Sequence, residues 1–170
     1  MVTRSRCCLR SAVAEALRIE TPFDVRLVES GFSPGHPLGL FAKAHKESGG
    51  IASFVGQVRG GGGARALELS HYEPITLPAM RELVQSTAKR FALDGLLAWH
   101  RVGVMTPGQA IVLVAAAAPH RRAAFEAVDC MMDHLKSAAW FWKRERRDDG
   151  WHWIEPRGED HSDLARWQEA

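Results

Sequence analysis

PHRRAAFEAVDCMMDHLKSAAWFWKR, residues 119–144, is the stretch on which the reading of this chain turns. Phe125, Val128, Met132, Leu135, Ala139 and Trp142 recur at alternating steps of three and four, the period of one buried stripe on an amphipathic helix. Pro119 suits the first turn, where its missing N–H costs little. A second row, Arg122, Asp129, Lys136 and Lys143, repeats every seven residues. Two helical turns nearly restore the same angle, so a helix through both lysines sets Lys136 and Lys143 on one face, about 10 Å apart. Two ammonium groups beside Met132, Trp140 and Trp142 form a place to receive an anion, or an acyl group seeking an amine. The competing reading is a solvated basic helix end, where Lys143, Arg144, Arg146 and Arg147 complement the macrodipole.

The same helix poses a problem of distance. His120 and Arg121 open it, where free backbone N–H groups favour an anion. A first turn normally prefers acids, so His-Arg-Arg there is electrostatically costly unless an anion arrives. Lys136 lies about 24 Å further along the axis. One straight helix cannot bring both ends to one small ligand. Either there are two sites, or a second protomer supplies the far end, which a two-fold dimer would do twice.

Upstream of the helix, residues 109–117 (QAIVLVAAA) form a continuous apolar run, expected as a strand buried on both faces. Met105 to Gly108 is a Pro-Gly turn, and Leu96 to Val102 a strand. Thr76 to Phe91 reads as a helix with Met80, Leu83, Val84, Thr87 and Phe91 inward, Thr76 as its cap and Pro78 in its first turn. Ala64 to Tyr72 and Gly50 to Arg59 read as strands joined through Gly60 to Gly63. Gly56 interrupts the earlier strand and marks a bulge or a close backbone approach. The glycine run lacks the Lys-Ser/Thr of a phosphate loop, which favours a hairpin connection. Pro37 to Lys46 is a short helix and Phe23 to Val28 a first strand. Downstream, Asp148, Asp149 and Gly150 turn into a last strand, Trp151 to Glu155. This order predicts an α+β fold with a mixed or antiparallel sheet and helices packed on it.

Composition narrows the function classes. The chain has 170 residues, enough for one domain with a real core. We expect a flexible N-terminal extension over 1–20, a single domain over 21–157 and a polar tail over 158–170. A net charge of +2 is too small to argue by itself for nucleic acid. No apolar run approaches the length of a membrane span. Cys7, Cys8 and Cys130 lack metal or redox spacing, and an odd count favours a reducing cytoplasmic setting. His71, His100 and His134 lack paired ligand spacing, so no metal site is expected. Cys130 sits among apolar helix residues and reads as core.

GGIASFVGQVR (49–59), LELSHYEP (67–74), the run from His100 to Glu145 and WIEPR (153–157) together resemble the large, catalytic subunit of molybdopterin synthase. The resemblance spans about Phe23 to Trp167. It implies an α/β-hammerhead-type fold and a homodimer. Each subunit would bind a small ubiquitin-like sulfur carrier, giving a heterotetramer. The carrier's Gly-Gly C-terminus ends as a thiocarboxylate. Two sulfurs would pass from successive carriers to cyclic pyranopterin monophosphate, forming the dithiolene of molybdopterin, and the synthase itself would need no metal or other cofactor. Family positions carried over residue by residue make Lys136 and Lys143 catalytic. They make Gln57, Val58, Arg59, His120, Arg121, Lys136, Lys143, Arg144 and Glu145 substrate-binding, with the His-Arg pair reaching across the dimer. The resemblance casts Glu145 as the group that orients Lys143 or Arg144. Gln57 stands where many members carry Lys, and Trp140 where Pro is common. A non-catalytic anion- or nucleic-acid-binding dimer, or a paralogue that binds the carrier without turnover, are the rival readings.

Overall fold

β6, Ala110–Ala118, is the strand around which the core assembles. In the computed structural model, which describes residues 19–137, 140–155 and 158–167, every residue of β6 but Ile111 is buried. It lies antiparallel to β4 (Gly95–Arg101) on one side and to β2 (Gly50–Gln57) on the other. β1 (Phe23–Val28) adds to β4 in parallel, giving the order β1-β4-β6-β2. Side chains alternate across this mixed sheet. Leu97, Trp99, Leu113, Ala115 and Ala117 face α1 (Gly35–Ala44), whose Phe41 is fully buried against them. Leu96, Ala98, Val112, Val114 and Ala116 face α2 (Glu73–Arg90) and α3 (Arg121–Ser137). The apolar run without alternation is thus explained by helices on both faces.

α3 sits close to the sheet because the contact is built from small residues. Ala124, Ala127, Val128, Met131 and Leu135 pack on Ala52, Ala116 and Ala118. This differs from the expected stripe. Phe125 is 64% exposed and Met132 only half-buried. The larger side chains suggested one face, but a helix seated on an alanine-lined surface buries its own small residues there. Ala139 lies outside the described residues. α2 begins three residues earlier than expected: Pro74 takes the first turn, and Thr76 lies inside the helix, donating from Oγ1 to the Tyr72 carbonyl at 2.9 Å. Pro78 is likewise interior.

A second sheet has the order β5-β3-β7-β8, from β3 (Ala66–His71), β5 (Gly103–Met105), β7 (Phe141–Arg147) and β8 (Gly150–Ile154), all antiparallel. β7 overturns the expectation of a helix running to Arg144. α3 ends at Ser137, and Trp142 and Lys143 stand on a strand. The aromatics at 140–142 favour extended backbone, and pairing with β3 satisfies it. Lys136 and Lys143 therefore share no helical face, and the spacing argument built on that face falls. Beyond β8, α4 (Gly158–Ala165) is followed by Arg166 and Trp167, which dock on α3 and the end of α2. Both bond the buried Asp133 carboxylate, Arg166 at 2.5 Å and the Trp167 indole N–H at 2.8 Å, and Trp167 meets Phe91 edge to face. The expected 1–20 extension lies almost wholly outside the described residues. No helix among them is long and apolar enough to cross a membrane.

Candidate functional site

Gln57, at the end of β2, falls where the β2–β6 register slips. Gly56 stands opposite Val112, but Gln57 pairs with Ala110. The bulge expected at Gly56 is present for a steric reason: a Cβ there would lie 2.7 Å from the Val112 side chain. The slip turns the chain so that Gln57, Val58 and Arg59 reach the rim of a cavity of about 1050 Å³. Val58 is buried beside Leu69 and Met105 and anchors the segment, while Arg59 stays exposed.

The remaining walls come from the end of α3 and the second sheet. Leu135 and Lys136 close one side. β7 presents Phe141, Lys143, Glu145 and Arg147 at alternate positions, and β8 adds His152 and Ile154 opposite Glu145 and Lys143. Lys136, at the end of a helix, and Lys143, on a strand, thus line one cavity, with Lys136 exposed and Lys143 half-buried. Lys136, Lys143, Arg59 and Arg147 outnumber the lining acids Glu145 and Glu155, so the cavity favours an anionic occupant.

Not every expected site residue arrives there. Arg144 points to the other face of β7. It pairs with Glu68, directly opposite on β3, and its guanidinium stacks over Trp151 and Trp153 at 4.8 and 5.7 Å. These contacts bind the β7–β8 hairpin to β3. Glu145 lines the cavity, but its ion-pair partner is Arg147, two residues along the same face, and not Arg144. His120 and Arg121 sit exposed at the opposite end of α3 and do not line the cavity. That end is held close to β2, where a Cβ at Gly50 would lie 3.2 Å from the Arg121 Cα.

Residues 141–154 also carry cavity groups that the helical reading missed: Phe141, Arg147, His152 and Trp153. The available signal was the Asp148-Asp149 turn, since a hairpin turn into one strand requires another strand before it. Beneath the site, His100 is buried and stacks on Phe141, with centroids 4.1 Å apart and planes 15° apart. Its Nδ1 lies 3.0 Å from the Arg101 carbonyl, to which it donates as the neutral imidazole. Burial, opposed by that hydrogen bond and aided by the charge of Lys143, brings its pKa down to about 4. Cys130 is buried as expected, and burial pushes its thiol up to about 11. No group of three or more His, Cys, Asp or Glu side chains among the described residues is placed to hold a metal ion.

The geometry has counterparts. Residues 28–138 match the family model described as MoaE protein. The chain is 49% identical over 148 residues to the molybdopterin synthase catalytic subunit of Caulobacter vibrioides, an alignment covering 86% of this chain and 99% of that one. A solved MoaE protein from Burkholderia ambifaria superposes with a TM-score of 0.73 at 34% identity, covering 86% of this chain and 98% of the other. The fold recurs at 19% identity and TM-score 0.69 in a complex of subunits 1 and 2 of the molybdopterin-converting factor from Helicobacter pylori, over 78% of this chain and 91% of that one. By its sequence over most of its length, and by the fold that carries the cavity, this chain belongs to the MoaE family of molybdopterin synthase catalytic subunits.

Proposed function

We propose that the cavity between α3 and the β7–β8 hairpin is where sulfur passes from a thiocarboxylated carrier protein to cyclic pyranopterin monophosphate. The observation that carries this reading is the meeting of Lys136, Lys143 and Arg59 around one large basic cavity, open enough for both a pterin and an extended peptide tail. The thiocarboxylate sulfur attacks an oxygen-bearing pterin carbon: a C–S bond forms, the C–O bond at that carbon breaks, its oxygen leaves with the opened cyclic phosphate or, once protonated, as water, and the sulfur stays joined to the carrier's acyl carbon. Water then attacks that acyl carbon. The acyl C–S bond breaks, the carrier leaves as a carboxylate, and the sulfur stays on the pterin as a thiolate. A second carrier repeats the sequence at the neighbouring carbon.

Charge builds on oxygen and sulfur in both steps, and a nearby ammonium stabilises it. Lys143, half-buried on a paired strand, is the more rigidly placed donor and takes the role of proton shuttle and charge stabiliser. Lys136, at the helix end, holds the acyl end of the carrier or the half-sulfurated pterin. Arg59 contacts the phosphate through charge-assisted hydrogen bonds.

His120 and Arg121 join the site from a second copy of the chain. Two features support that homodimer. β2 is an edge strand with Ile51, Phe54 and Val55 exposed, and Phe125 is exposed on the first turns of α3, beside His120 and Arg121. Such an apolar surface suits a self-complementary interface. The assembly with carriers would be a heterotetramer working in the cytoplasm. In a reconstituted reaction of cyclic pyranopterin monophosphate with thiocarboxylated carrier, the wild-type chain yields dithiolene pterin. Lys143→Ala loses about 10²–10⁴-fold in rate while still binding the carrier. Full turnover by Lys143→Ala would remove Lys143 from the mechanism, and no product from wild type would remove the reaction.

A further inference from the structure

A second, smaller pocket of about 260 Å³ lies on the far side of Gln57, between the loop at Gly31–Pro34 and the start of β6. Its charged lining group is Arg101, at the end of β4, 7% exposed. No acidic side chain lines this pocket, and no carboxylate pairs with Arg101 among the described residues. The guanidinium is held by neutral acceptors: Nη1 donates to Gln109 Oε1 at 3.0 Å, and Nη2 approaches the Val104 carbonyl at 3.4 Å. Gln109 Oε1 is already shared with the Thr106 N–H. Nε is buried with no acceptor among the described residues. A desolvated cation held only by neutral acceptors is an arrangement that an anion at its reachable edge completes.

Gly31 opens the approach. A Cβ there would stand 3.5 Å from Nη1 and 3.9 Å from Cζ, ordinary contact distances, so the missing side chain leaves the guanidinium edge reachable from the loop. The pocket has about a quarter of the volume of the large cavity, room for a small molecule and not for a peptide tail. A guanidinium presents parallel N–H groups that match two carboxylate oxygens. We propose that the pocket over Arg101 is a binding site for a small carboxylate. Because Gln57 lines both pockets, its occupant would sit one side chain away from the large cavity. The proposal does not rest on the sulfur-transfer reading.

Thermal unfolding of the full chain tests it at constant ionic strength, with formate, acetate or malonate replacing chloride. The carboxylates should raise Tm saturably by about 2–4 °C, with no such rise in phosphate. Gly31→Asp builds the carboxylate into the loop. It should match the anion-saturated wild type without added anion, exceed the neutral Gly31→Asn, and no longer respond to carboxylates. A wild type that responds equally to chloride or phosphate, a Gly31→Asp no more stable than Gly31→Asn, or an undiminished response in Gly31→Asp would each overturn the proposal.

Discussion

Replacing His100 with Asn tests whether the floor beneath the cavity is as dry as its packing indicates. Asn keeps an N–H near the position of Nδ1, able to donate to the Arg101 carbonyl, but it does not titrate. In the folded chain His100 takes its proton only near pH 4, against 6.5 when solvated. Its folded pKa is depressed, and it is a base, so between those values the unfolded chain binds a proton that the folded chain refuses. Stability from this group is therefore fully present above about pH 6.5 and falls as the pH drops toward 4. Integrated from pH 7 to pH 5, the loss is about 2 kcal/mol. The side chain is 6% exposed, so solvent screening takes little from that figure. Urea unfolding of wild type and His100→Asn at both pH values isolates the effect. The variant loses the Phe141 stack at every pH, an offset that cancels when each protein is compared with itself. The wild type should lose about 2 kcal/mol more than the variant over this range. Equal losses would mean that His100 is hydrated in the folded chain and that the floor beneath Phe141 and Lys143 admits water.

Two further outcomes follow from packing. Leu135, 4% exposed between the core and the cavity wall, should cost about 2–5 kcal/mol in urea unfolding when replaced by Ala; a cost under 1 kcal/mol would show that α3 relaxes into the space. Asp133→Asn removes the charge that holds Arg166 and weakens the acceptor for the Trp167 indole. Amide exchange across 158–167 should accelerate while β6 keeps its protection, and unchanged exchange there would mean that other contacts hold α4.

The core was legible because its signals are local. An uninterrupted apolar run at 110–118 admits few placements other than a strand covered on both faces, and Gly56 announced its own bulge. The helix period from Ala124 to Leu135 was also plain, but its inward face was not. Hydrophobicity ranks Phe125 above Ala124, whereas the alanine surface of β2 and β6 selects the smaller side chain. β7 was hidden for a different reason. Its two faces, Lys143-Glu145-Arg147 and Trp142-Arg144-Arg146, are both polar and half-exposed, so no apolar alternation marks a strand. The lysines had spacing seven, which a helix explains as readily as chance does. Gln57, Val58, Arg59, Lys136, Lys143 and Glu145 line the cavity, and it was the family pattern, not geometry, that singled them out in the sequence. The burial of His100 depends on Phe141 arriving from a strand some forty residues later, which no local period can announce.

The two sheets finish at different moments in the synthesis of the chain. Every pairing of the first sheet is available once residue 118 has emerged, and α3 can cover it by residue 137. The second sheet has only β3 and the short β5 until residues 141–154 are made. A nascent chain can thus bury its main core while the cavity still lacks the wall that carries Lys143. Folding and competence are separated along the ribosome's clock, and the exposed edge of β3 waits through that interval for a partner strand from its own chain.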